Sequence, residues 1–188
     1  MVVEQARRQF TVDEYERMGA AGILGEDDRV ELLDGEVVEM TPIGPRHASC
    51  VDRLNRLLVI GLGDRAIVRV QNPARVAFRS QPQPDLLVAR PRNDFYALSH
   101  PTPDDILLVI EVAETSGAFD RDVKAPLYAR AGIRELWVVD GPSAEVVLHR
   151  GPVSGRYADV RTVGRGGQLT PEAFGDLVLS VADLVGEG

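Results

Sequence analysis

The chain has 188 residues, 44% of them hydrophobic and 27% charged, a balance that fits one globular domain over residues 1–188 with a core over about 11–184, and that excludes a disordered or fibrous class. Its one cysteine, Cys50, precludes an internal disulfide, and no apolar run long enough for a membrane span and no signal-type amino terminus is present, so a cytoplasmic protein without a membrane partner is expected. The formal charge of −8 argues against a broad, nonspecific nucleic-acid binder, because phosphate affinity comes from Lys and Arg, although a local cationic groove stays open.

The first expected element is a helix opened by the capping box Thr11-Val12-Asp13-Glu14 and running to about Gly22. Arg29 to Leu33 and Glu36 to Met40 flank Asp34-Gly35, which supplies the positive φ of a tight hairpin turn. From Arg46 to about Leu62, apolar residues at Val51, Leu54, Leu57, Leu58 and Leu62 recur at helical spacing, so this helix should cover one face of a sheet. Strands are then expected over Ile67–Val70, Ala74–Phe78 and Asp85–Ala89, with Asn72-Pro73 as an interruption. Ile106 to Val112 is continuously apolar except for Glu111, the pattern of a central strand covered on both faces. Asp120 can cap a helix from Arg121 to about Ala131 that ends at Gly132 before the strand Leu136–Val139, giving a strand–helix–strand unit. Val146–His149 and Tyr157–Val163 extend the sheet, and Leu177–Leu184 is a last apolar element. The fold class is therefore α/β, a central mixed sheet flanked by helices with an amino-terminal helix and hairpin.

Acidic residues inside apolar strands are the first candidates for chemistry, since a carboxylate there must be paired, hydrogen-bonded or bound to metal. Asp85 opens one such strand and Glu111 interrupts the central one. If the two strands are neighbours, both carboxylates can face one point, and oxygen-only ligands with room for water favour magnesium or manganese over zinc. The bland alternative is that each ends a strand or pairs with an arginine. Of the 21 basic residues only Lys124 is a lysine, which marks a position suited to a compact ammonium, or a solvated helix residue paired with Asp120. Ala113 shares a strand face with Glu111 and is small, leaving room for that lysine. His47 and Cys50, three apart on one helix, would allow thiol chemistry, but no orienting partner is apparent and Cys50 reads better as a small core residue. Neither a phosphate-binding glycine loop nor zinc-ligand spacing occurs.

Gln83-Pro84-Asp85, Ile110-Glu111-Val112 and Phe119-Asp120-Arg121-Asp122-Val123-Lys124, taken in that order, resemble the PD-(D/E)XK nuclease superfamily. More narrowly the chain resembles the Uma-two family of restriction-endonuclease-like proteins. The likeness runs from Thr11 through Glu31-Leu32-Leu33-Asp34-Gly35-Glu36, Pro42, His47 and Tyr128-Ala129-Arg130-Ala131-Gly132-Ile133 to Trp137-Val138-Val139-Asp140. The superfamily's usual lysine stands two residues after the acid, where this chain has Ala113; the Uma-two variant places it on the next helix, as Lys124 is placed. The resemblance implies a restriction-endonuclease-like fold and a metal-dependent endonuclease acting on DNA. It implies Asp85 and Glu111 as ligands of magnesium or manganese, Lys124 as the catalytic lysine, Glu31 as a further acidic member and His47 as an accessory residue. By alternation alone Glu31 reads equally as a solvent-facing hairpin residue, and His47 as a cap. Asp120 and Asp122 are better explained as helix cap and dipole complement. Arg69, Arg75, Arg79 and Arg121 are candidate phosphate contacts. The competing expectation is a nuclease-like fold used for DNA binding or assembly with little or no catalysis. Exposed edge strands in the carboxyl-terminal half suit a homodimer under either reading.

Overall fold

The computed structural model describes residues 7–25, 27–113 and 119–186, the side chain of Arg121 excepted. Helix α1 (Val12–Ala20) begins at Thr11, whose hydroxyl accepts the Glu14 amide at 3.2 Å while the Glu14 carboxylate accepts the Thr11 amide at 2.9 Å, as the capping box requires. Strands β1 (Val30–Leu33) and β2 (Glu36–Glu39) pair across Asp34 and Gly35, at φ 48° and 88°. Helix α2 (Pro45–Leu62) buries Val51, Leu54, Leu58 and Leu62, the stripe its periodicity predicts.

Six strands form the main sheet: β3 (Ile67–Val70), β4 (Leu86–Ala89), β5 (Ile106–Ala113), β6 (Glu135–Asp140), β7 (Glu145–Val153) and β8 (Arg156–Gly164), side by side in that order. Only β5 and β6 are parallel; the other neighbours are antiparallel, so the sheet is mixed. The parallel pair needs a crossover, and the chain supplies it through a π-helical turn, Asp120–Lys124, that continues into α3 (Ala125–Arg130). Gly132, at φ 79°, ends the helix, and the Ile133 amide returns to the Tyr128 carbonyl at 3.0 Å. Short strands β9 (Gln168–Leu169) and β10 (Leu179–Ser180) pair with each other, and α4 (Val181–Val185) follows.

Apolar side chains pack on both faces of the sheet. Leu54 and Leu58 of α2 meet Ile110, Val112, Trp137 and Leu184 on one side. On the other, Leu127 and Tyr128 of α3 meet Leu87, Val109, Ala113 and Val138. Alternation along β5 therefore sends Glu111, between Val109 and Ala113, toward α3. Among the described residues no helix is long and apolar enough to cross a membrane.

Two expectations are corrected. Ala74–Phe78 is not a strand: the amides of Ala74, Arg75 and Val76 go to the carbonyls of Pro82, Pro101 and Ser80, three separate partners instead of one ladder. Asp120 is not a cap preceding the helix; it lies within the π turn and is only 4% exposed, because the helical path already starts at Phe119.

Candidate active site

Asp85 immediately precedes β4 and Glu111 lies near the end of β5, on strands that pair directly, with Leu86 opposite Ile110. Both carboxylates open on a cavity of about 330 Å³ that Glu31, His47, Asp120 and Lys124 also line. Glu31 reaches it from β1 of the hairpin, His47 from the first turns of α2, and Asp120 and Lys124 from the π turn. Five separate segments, β1, α2, the entry to β4, β5 and the π turn, thus bring together residues spread from 31 to 124. Glu31 is 3% exposed, Glu111 2% and Lys124 5%, so neither the solvent-facing reading of Glu31 nor the surface reading of Lys124 holds.

The hydrogen bonds fix each group. Lys124 Nζ donates to Glu111 Oε1 at 3.2 Å and forms an ion pair with Glu31 Oε1, also at 3.2 Å. Tyr128 Oη, fully buried, donates to the same Glu111 Oε1 at 2.7 Å. Glu31 Oε2 accepts the Gln83 amide at 3.0 Å, tying the hairpin to the segment that leads into Asp85. Asp85 Oδ2 accepts the Val112 amide at 2.8 Å, and its Oδ1 lies 2.8 Å from His47 Nε2.

Charge is out of balance here. Burial raises the Glu111 carboxyl most; Lys124 pulls it down, while Asp85, Asp120 and Glu31 push it up, and the result is about 8. Burial would depress the Lys124 ammonium, but Glu111, Glu31 and Asp120 outweigh it and hold the group above its ordinary value. The Tyr128 hydroxyl is pushed well up, first by burial and then by Glu111. Among the described residues no three His, Cys, Asp or Glu side chains already close on one point as a metal cage. Magnesium does not need one: it is commonly held by one or two carboxylates, with water and phosphate oxygens completing its octahedron. A cavity lined by five carboxylates, Glu31, Glu39, Asp85, Glu111 and Asp120, with Lys124 paired with two of them, has the hard-oxygen donors and the surplus negative charge that such a cation suits.

Tyr128 and Asp120 went unassigned to the site by sequence. Each is four positions from Lys124, so all three sit on one helical face, and that spacing is the signal that marks them. Of the candidate phosphate contacts, Arg69, Arg75 and Arg79 do not line the cavity. Arg69 stacks over the Tyr96 ring, Arg75 pairs with Asp13 at 2.7 Å and Arg79 bonds Gln9 at 2.6 Å. The Arg121 side chain lies outside the described residues, and among the described residues the arginine that lines the cavity is Arg29.

Comparison with curated proteins gives no match. Among solved structures the chain is similar to a protein from Anabaena variabilis, described as "a putative nuclease belonging to DUF820", with a TM-score of 0.74 and 15% identity over 94% of this chain and 97% of that one. At that identity the likeness concerns the fold, and it covers the mixed six-stranded sheet and its flanking helices. The model of the Uma2 (Uma-two) family, described as "Putative restriction endonuclease", matches residues 12–182. The chain belongs to the Uma2 family.

Proposed function

We propose that this protein is a metal-dependent endonuclease that hydrolyses DNA phosphodiester bonds in the cytoplasm, with Asp85 and Glu111 as ligands of magnesium or manganese and Lys124 and Glu31 completing the catalytic group. The observation that carries the reading is that Lys124, the chain's one lysine, is buried between Glu31 and Glu111 on the cavity that Asp85 also lines. Burying that ammonium without function would be costly when arginine serves everywhere else in the chain.

When bound, the divalent cation supplies Lewis-acid stabilisation of charge on the phosphoryl group. The chain's own residues then do the rest. Lys124 Nζ, a permanent donor at this site, orients an attacking water and stabilises negative charge developing on phosphate. Glu31 aims that ammonium, and through its bond from the Gln83 amide it couples the hairpin to Asp85. Tyr128 and Lys124 both donate to Glu111 Oε1, which fixes the orientation of the carboxylate toward the cavity. His47 acts as an accessory residue by holding Asp85 Oδ1, while the Val112 amide holds Oδ2.

A second reading, a nuclease-like fold that binds DNA or a partner without turnover, draws on the fact that both Asp85 oxygens already have protein partners. The two readings separate by calorimetry with magnesium and manganese on the wild type, Asp85→Ala and Lys124→Ala, followed by cleavage of supercoiled, linear and branched DNA. Metal-dependent cleavage that disappears in both variants is the expected result. Metal binding lost in Asp85→Ala with no cleavage of any of these DNAs by the wild type would favour the binding module, and no metal binding at all would return both acids to a structural role.

A further inference from the structure

Strand β8 forms one edge of the six-stranded sheet and has nine residues, against four in β3 at the other edge. Its inner side bonds to β7, and among the described residues no backbone hydrogen bond reaches the outer side between Arg156 and Val163. A long unpaired edge offers alternate amides and carbonyls to any chain that can lie beside it. The side chains restrict which chain that is. Asp159 and Arg161 share a face and bond each other at 2.8 Å, with 40% and 70% of their side chains exposed. Val160, between them on the opposite face, is 53% exposed.

We propose that β8 pairs antiparallel with β8 of a second copy of this chain, Val160 opposite Val160, joining the two sheets into one. In that register Asp159 faces the partner's Arg161 and Arg161 faces the partner's Asp159, so two cross-strand ion pairs form while the valines meet on the other face. The neighbouring symmetric registers are self-defeating: centred on residue 159 they place Asp159 against Asp159, and centred on 161, Arg161 against Arg161. A centre between two residues matches outward-pointing backbone groups with inward-pointing ones and leaves no ladder. The contact is isologous, so it consumes both β8 edges and closes at two copies. It involves none of the residues lining the cavity and stands independently of the hydrolytic reading.

Sedimentation equilibrium on the full chain tests it. The wild type should sediment as a dimer of the 20.5 kDa chain. Asp159→Arg and Arg161→Asp should each weaken dimerisation about tenfold or more, since each converts two attractive pairs into two repulsive ones. Combining both substitutions restores opposite charges across the two-fold and should restore the dimer, a rescue that a merely misfolded variant would not give. Val160→Cys should also cross-link under oxidation, as directly opposed residues of antiparallel strands lie about 4.5 to 5.5 Å apart at Cα. The wild type, with its only cysteine buried, should not. A monomeric wild type, single charge variants that stay dimeric, or Val160→Cys that fails to cross-link would each overturn the proposal.

Discussion

Glu111 and Glu135 are both buried carboxylates in central strands, yet their surroundings differ in kind. Glu135 receives Trp137 Nε1 and Arg150 Nε at 2.8 Å and the Glu172 amide at 2.7 Å, so its charge is matched by donors and it fastens the chain after β9 to the start of β6. Glu111 shares one ammonium with Glu31; burial first, and then the charges of Asp85, Asp120 and Glu31, push it up to about 8 against the pull of Lys124. Linkage turns this into a measurable sign. Between the ordinary value of 4.5 and about 8 the folded, metal-free protein holds a proton that the unfolded chain has released, so stability falls as pH rises through that window. Thermal unfolding in EDTA should therefore show a steeper loss of Tm across this window for the wild type than for Glu111→Gln, which cannot ionise. Parallel pH profiles for the two proteins would mean that the carboxyl is not held protonated.

The hairpin is the element on which the position of Glu31 depends. Gly35 stands at its tip at φ 88°, donates its amide to the Arg79 carbonyl and accepts the Phe10 amide, so the turn is clamped between two distant segments. An added Cβ would lie 2.7 Å from Gln9 Cβ and 3.1 Å from the Phe10 carbonyl oxygen. Gly35→Ala should destabilise by about 1 to 2 kcal/mol from the left-handed backbone alone, with crowding added, and a Tm equal to that of the wild type would show that the clamp yields freely. The Asp34-Gly35 pair made this turn readable in the sequence, as the capping box did for α1, the apolar stripe for α2 and the continuous apolar run for β5, because each is a local signal. Asp85, Glu111 and Lys124 were also readable, as polar groups out of place or alone of their kind. What was not readable depended on partners distant in the chain. Ala74–Phe78 has strand-like composition, but Gln71 at φ 49° and the Asn72-Pro73 break turn the backbone so that its amides find three unrelated carbonyls. Asp120 has the composition of a cap, yet a π turn beginning at the same residue rotates it into the cavity beside Lys124. Arg69, Arg75 and Arg79 are drawn off by Tyr96, Asp13 and Gln9, contacts that no local pattern announces.

At the scale of the whole molecule the sheet order determines what two copies joined through β8 could do together. Strand β8 runs in the same direction as β5, because β5 and β6 are parallel and the next two pairings are antiparallel. An antiparallel β8 contact therefore reverses β5 in the partner, and the two cavities open at opposite ends of the joined sheet, on the same face. Seven strand spacings separate one β5 from the other, roughly 34 Å at ~4.8 Å each, whereas the grooves of B-form DNA are about 12 and 6 Å wide. Two cavities so placed do not close on facing phosphates across one groove. Each contains its own Glu31, Asp85, Glu111 and Lys124 and needs no residue from the partner. Supercoiled plasmid should accordingly be converted first to the nicked circle, with linear product appearing only as independent nicks accumulate, and the weakly dimerising Arg161→Asp variant should nick at the same rate per chain. Linear product formed directly, without passing through the nicked circle, would show that the cavities act as a pair and that the β8 contact is not the arrangement in which DNA is cut.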